Sequence, residues 1–213
     1  MKRFVPSDYS LDITHPATVA QVPGSPMASR AATINKVFDA AGRGDITYTL
    51  FVPAGWLDWG LTNGFLGFDI KARKARLIDH GVHKATGCTQ AFIAHTVVSM
   101  LKQPLSETEN KKIQIAEVEY SGLELLACLE EETNSKWEVL NITSPELLKM
   151  AEKAKVENDV RRSLTSTTHF LNFGGSGAAY FPQALSSPLG ESQYERKSLK
   201  RIVKDAVHSV QSS

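Results

Sequence analysis

Cysteine is scarce in this chain. Cys88 and Cys128 are the only two among 213 residues, too few for a disulfide framework and without the paired spacing of a metal site. A reducing, cytoplasmic setting is expected. Net charge is lacking too. The 24 lysines and arginines against 23 acidic residues leave +1, so no global field draws the chain to nucleic acid or an acidic membrane. No apolar run reaches bilayer-spanning length, and the opening MKRFVPSDYS lacks a signal peptide's apolar core. There is no internal repeat. What is present, 42% hydrophobic and 22% charged residues, suits a soluble globular chain of one large domain or a domain and a half.

The stretch around which the rest is arranged is 46–69, ITYTLFVPAGWLDWGLTNGFLGFD. Its first eight residues mix β-branched, aromatic and aliphatic types, as a buried strand does. Pro53 and Gly55 stop that strand, because proline donates nothing to a ladder and glycine frees the backbone. Trp56, Asp58 and Trp59 follow at once. An open α/β sheet takes its ligand at the carboxyl ends of its strands, so these three are candidate pocket residues. Burial of both indoles in the core is the competing reading.

Upstream, residues 2–5 read as a very short strand that turns away at Pro6-Ser7-Asp8-Tyr9. Residues 10–26, rich in Pro, Thr, Ser and Gly, read as a surface loop. A helix is expected over 26–41, with Pro26 near its first turn, Gly42 past its end, and Ile34, Val37, Phe38 and Ala41 on one stripe. Strand, helix, strand implies a right-handed crossover in a parallel sheet. Downstream, 75–78 and 84–88 are extended pieces around Asp79-His80-Gly81. Thr89 caps a helix to about Lys102, with Phe92, Ile93, Thr96, Val97 and Met100 inward. Residues 112–118 alternate as one strand, and Ser121 with Glu124 forms a capping box. Residues 137–142 are another strand. Ser144 caps the next helix, with Pro145 at its first position. Helices over 161–173 and 198–210 complete the pattern.

Several chemistries are excluded by spacing. Residues 173–177, FGGSG, follow a helical pattern rather than a strand and lack the lysine of a phosphate loop. His80 and His83 stand in a turn with no second cluster, so no metal site is expected. The tyrosine–lysine pair of short-chain dehydrogenases needs lysine four residues after tyrosine. Tyr9, Tyr48, Tyr120, Tyr180 and Tyr194 meet Ile13, Val52, Glu124, Ala184 and Ser198 instead.

KRFVPSDYS (2–10), ITYTL (46–50) and WLDWGLTNGFLGFD (56–69) together resemble the NmrA-like, isoflavone-reductase-like reductases, closest to their fungal branch. CTQAFI (88–93), KWEVLNITSPELL (136–148) and a terminal helix after SPLGE (187–191) continue the likeness over essentially the whole chain. The resemblance implies an atypical short-chain dehydrogenase: an α/β chain with a Rossmann-type parallel sheet that binds NADP(H), and a smaller α+β substrate domain. Residues 1–55 correspond to the later part of the Rossmann domain and 56–213 to the substrate domain with returning elements. The family's glycine-rich turn precedes the KRF motif, so the chain matches only the later part of such a protein, and residues 1–213 alone are expected not to bind NADPH tightly. The implied function is hydride transfer from NADPH to a small aromatic or polyketide-like metabolite, as in secondary metabolism. Pro6 and Ser7 are the cofactor-side residues, and Trp56, Asp58 and Trp59 the substrate-side residues. The catalytic lysine of the plant reductases aligns with Ala31. Arg30 beside it is the candidate catalytic cation, although guanidinium stays protonated and cannot act as a base. The alternative is a non-catalytic, dinucleotide-sensing regulator of the NmrA type. A small molecule is the expected partner, with a homodimer or a regulatory protein as the macromolecular one.

Overall fold

A computed structural model describes residues 3–186 and 194–212; the SPLGE segment, 187–191, lies outside them. The expected loop 10–26 holds one helical turn, α1 (Pro16–Val19), where His15 Nδ1 accepts the Ala17 amide. α2 (Ala28–Gly42) follows. It links Phe4, which bridges Tyr48 in parallel, to β1 (Thr49–Val52). β1 pairs in parallel with β6 (Lys111–Gln114). The parallel α/β sheet expected from the strand–helix–strand order is therefore present. All four residues of β1 are buried, because its alternate side chains enter two cores. Leu50 and Val52 meet Ile34 of α2 on one face. Phe51 meets Phe92, Ile93, Met100 and Ile115 on the other. Phe51 is fully buried, and its truncation to alanine would cost about 3–5 kcal/mol.

The second sheet runs β2 (Gly55–Trp56), β5 (Lys84–Cys88), β7 (Val118–Ser121). The third runs β3 (Phe68–Asp69), β4 (Lys74–Ile78), β8 (Glu138–Ile142). The single strand expected over 112–118 is in fact two. The Ile115 amide donates to Val52 in the first sheet, and the Glu117 amide to Gly87 in the second, at 3.0 Å each. The extended chain thus leaves one sheet and joins another within three residues.

Helices cover the sheets. α3 (Leu57–Thr62) follows β2, and α4 (Gln90–Lys102) follows β5 with Thr89 as its cap. α5 (Leu105–Thr108) is one turn before β6. α6 (Gly122–Thr133) begins at Ser121, whose hydroxyl accepts the Glu124 amide. The Glu124 carboxylate does not reach back; it binds Lys84 Nζ at 2.6 Å. α7 (Ser144–Val156) and α8 (Val160–Phe173) pack on each other, and α9 (Leu199–Gln211) lies on α3 and α6. Thr143, not Ser144, caps α7, in a capping box with Glu146. Ser144 is instead drawn to Asp79, whose carboxylate accepts both its amide and its hydroxyl.

Candidate active site

Two turns meet at the carboxyl edge of the parallel strands. The first is Pro6-Ser7-Asp8-Tyr9, after the Phe4 bridge. The second is Pro53-Ala54-Gly55-Trp56, after β1. Pro6 is buried and Ser7 exposed. Tyr9 packs edge-on against Phe51, with ring centroids 6.1 Å apart. Its carbonyl accepts the Trp56 indole N–H at 2.8 Å. That one bond ties the two turns together.

Ala54 carries the backbone cost of the second turn. It sits at φ +57°, a left-handed conformation that costs a β-carbon residue about 1–3 kcal/mol and clusters at functional sites. Sequence placed that freedom at Gly55. The structure uses Gly55 for space instead, since a Cβ there would lie 3.2 Å from the Tyr120 hydroxyl.

Arg30, on the first turns of α2, points back to the first turn. Its Nε donates to Asp8 at 2.6 Å and its Nη2 to the Leu11 carbonyl at 3.4 Å. The Asp8 side chain is 7% exposed, against 29% for Arg30. A nearly buried carboxylate thus fixes a half-open cation beside Ser7. Ala31 lines an apolar cleft of about 390 Å³ with Ile13, Val22, Ile34 and Phe38. No proton donor stands at that position.

Of the predicted site residues, Pro6, Ser7, Arg30 and Trp56 are brought together. Asp58 and Trp59 are not in that cluster. The Asp58 carboxylate accepts the amides of Trp59 at 2.8 Å and of Gln90 at 3.2 and 3.0 Å, anchoring the start of α4. Trp59 is 44% exposed and leans on Phe65, 5.3 Å between centroids. Neither indole is deep core. Cys88 is fully buried, and desolvation pushes its thiol up, so it is no nucleophile.

Three buried polar groups escaped sequence reasoning. Glu117, between the two sheets, is 4% exposed; its carboxylate accepts the amide and hydroxyl of Thr89 at 2.8 and 2.7 Å and the Lys197 amide at 3.0 Å. Asp12 meets Lys112 Nζ at 2.5 Å. Burial alone would raise its carboxyl, but Lys112 and Thr14 outweigh that and hold it below the usual range. His169 lies under β4, bonded to Arg76. Their partners Thr89, Lys197, Lys112 and Arg76 lie 28 to 100 residues away, and only the bonds of Asp12 to Thr14 follow a local pattern.

No family model matches the chain. Over 110 residues it is 27% identical to the oxidoreductase poxI of Penicillium oxalicum, which covers 51% of this chain and 35% of the relative. Its backbone superposes on isoflavone reductase with a TM-score of 0.71, at 19% identity, over 96% of this chain and 66% of that one. The fold is that of isoflavone reductase. The leucoanthocyanidin reductase of Vitis vinifera, solved with NADPH, gives a TM-score of 0.72 at 16% identity, over 98% of this chain and 66% of that one. The chain spans about a third of the curated relative's length and just under two-thirds of each solved neighbour. In the isoflavone reductase fold the joined turns lie where the parallel strands end, the edge at which open α/β sheets hold ligands. No described helix is long and apolar enough to cross a membrane.

Proposed function

We propose that the chain belongs to an NADPH-dependent reductase acting on a small aromatic or polyketide-like metabolite of secondary metabolism, in the cytoplasm. One observation carries the reading: the Trp56–Tyr9 hydrogen bond that joins two strand-end turns within the isoflavone reductase fold. The solved neighbours are named for isoflavone and leucoanthocyanidin, which supports an aromatic substrate. The chain divides at residue 55, with the cofactor side before it and the substrate side after.

The residues fit that cofactor. The exposed Ser7 and the half-open Arg30 cation, over buried Pro6, are a donor set suited to an anionic dinucleotide. NADPH, when bound, supplies the hydride. Pro6 and Ser7 hold the nicotinamide side. Arg30, fixed by Asp8, stabilises negative charge that develops on the substrate oxygen, and it transfers no proton. Trp56 is the aromatic wall and Trp59 its outer lip. Asp58, engaged with two backbone amides, sets the angle of that wall against α4.

Ala31 supports a second reading, a dinucleotide-sensing regulator, because the cleft beside it holds no acid or base. The experiment is NADPH consumption with a panel of aromatic ketones and enones, using the longest open reading frame that contains this chain. Turnover that falls on Arg30→Ala and lacks a lysine-like titration supports the reductase. NADPH binding with no turnover of any substrate, and no effect of Arg30→Ala or Ala31→Lys, replaces it with the regulator.

A further inference from the structure

Arg76 is a cation without a counter-ion. It stands in the middle of β4, part-buried where that strand meets α8. Its Nη2 donates to His169 Nδ1 at 2.9 Å, and burial keeps that imidazole neutral at physiological pH. Its Nε is buried and has no hydrogen-bond partner. Among the described residues no carboxylate pairs with it, because the acids of the neighbouring strands are engaged elsewhere. Glu138 holds Lys74 at 3.0 Å. Asp69 accepts the Ala72 amide, and Asp79 the Ser144 amide. Desolvation accordingly pulls the guanidinium below its ordinary value. A part-buried charge left unpaired costs stability, and folds break that rule chiefly at sites that bind a ligand.

We propose that Arg76 anchors the carboxylate of a small aromatic acid, held on the α8 side of the third sheet between Leu140 and the rings of Phe65 and His169. Three features select that ligand. The first is the number of charges. Arg76 offers one positive charge, and Lys74, which shares its face of β4, is already neutralised by Glu138. A monoanion matches this, whereas a phosphate dianion would stay half compensated. The second is shape. A guanidinium is a planar fork of donors, and Arg76 spends one nitrogen of three on protein; the flat fork of a carboxylate is its natural complement.

The third feature is the surroundings. In the parallel register Arg76 stands beside Leu140, so the two side chains share a face, and Leu140 is 60% exposed. On the other side the Arg76 amide donates to Gly67, at the end of the turn that carries Phe65. The Phe65 ring lies 6.0 Å from that of His169 and 5.3 Å from that of Trp59. Apolar and aromatic walls around one charged group are the make-up of a site for a ring that carries a single acid. Because Trp59 is the outer lip of the substrate side, the acid is the aromatic substrate itself. That identification rests on the reductase reading; the binding does not.

Histidine-selective NMR of the full chain, without NADPH, tests the binding, with the His169 signal assigned by its loss in His169→Gln. Benzoate should shift that signal saturably, while benzyl alcohol and sulfate should not. Arg76 is the charged group that acts on His169, so a carboxylate seated on it should also raise the imidazole's titration point. Arg76→Gln keeps a donor for Nδ1. It should weaken benzoate about tenfold or more, yet melt no lower than the parent, because it removes an unpaired charge. Arg76→Lys should restore part of the affinity. A His169 signal that benzoate leaves unmoved, sulfate that binds as well as benzoate, or an Arg76→Gln variant with the parent's affinity would each overturn the proposal. Benzoate binding without NADPH turnover of any aromatic acid would leave the site standing and remove the reductase reading; turnover of neutral ketones without benzoate binding would do the reverse.

Discussion

The sharpest pH dependence of this fold should come from His169, whose ring meets Phe65, the same ring on which Trp59 leans. His169 is 1% exposed. One ring nitrogen, Nε2, lies 2.5 Å from the Phe65 carbonyl, and the other, Nδ1, lies 2.9 Å from Arg76 Nη2. The carbonyl can only accept, so Nε2 carries the proton. The guanidinium can only donate, so Nδ1 must present its lone pair. A second proton on Nδ1 would face N–H with N–H, beside a fixed positive charge. Burial first, then Arg76, therefore push the imidazole down to about 4 from 6.5, and the Phe65 carbonyl opposes them only partly.

The sign follows from proton counting. Between about pH 6.5 and 4 the unfolded chain binds a proton at His169 that the folded chain refuses, so stability falls as the pH falls. At about 1.4 kcal/mol per pH unit, the fall from 6.5 to about 4 is worth about 3 kcal/mol, roughly three-quarters of it lost by pH 4.5. The depressed carboxylates of Asp12, Asp79, Glu124 and Asp205 act lower. Their contribution is present above their ordinary range near 4 and is lost as the pH falls below it. Urea unfolding at several values between pH 7.5 and 4.5 isolates the histidine. The parent should lose about 2–3 kcal/mol across that window. His169→Gln should be less stable at neutral pH by about 1–3 kcal/mol, because a buried guanidinium and a carbonyl lose their shared partner, yet nearly flat with pH. Parallel profiles for the two proteins would refute the reasoning.

The tryptophans should separate on truncation. Trp59→Ala, at a half-exposed ring, should change stability by no more than about 1 kcal/mol, whereas Trp56→Ala loses both packing and the Tyr9 bond and should cost about 2–4 kcal/mol. Paired thermal melts and kinetics show whether Trp59→Ala raises KM at unchanged stability; a collapsed melting temperature would remove it from the pocket. Glu117→Gln replaces a carboxylate serving four donors, the Tyr194 hydroxyl among them, with an amide that brings donors of its own, and should lower stability by about 1–3 kcal/mol. A melting temperature equal to the parent's would show that this carboxylate does not hold Thr89 and Lys197 in place.

How far the sequence reaches can be seen at three places. Where a role depends on neighbours a few residues away, it is legible. Thr89 as the cap of α4 and the stop of β1 at Pro53 are local choices, settled by side-chain type and backbone freedom. Where two adjacent residues offer the same local chemistry, a distant contact decides. Thr143 and Ser144 both carry a hydroxyl before Glu146, and Asp79, 65 positions away, claims Ser144 and leaves the cap to Thr143. The two-residue strands β2 and β3 are illegible for a similar reason: they exist only through partners at Gly87–Cys88 and Lys74–Ala75.

The candidate site shows the consequence for function. Asp58 between two tryptophans has the composition of a ligand-binding carboxylate, yet its oxygens are spent on the amides of Trp59 and Gln90. Arg30 has the composition of a surface cation on a helix, yet a nearly buried Asp8 carries it to the strand-end turn. Residue type marks both positions as candidates for chemistry. Which one has charge to offer a ligand is decided by the partners the fold supplies, and on that criterion Arg30 remains a half-open cation beside Ser7 while Asp58 becomes part of the frame.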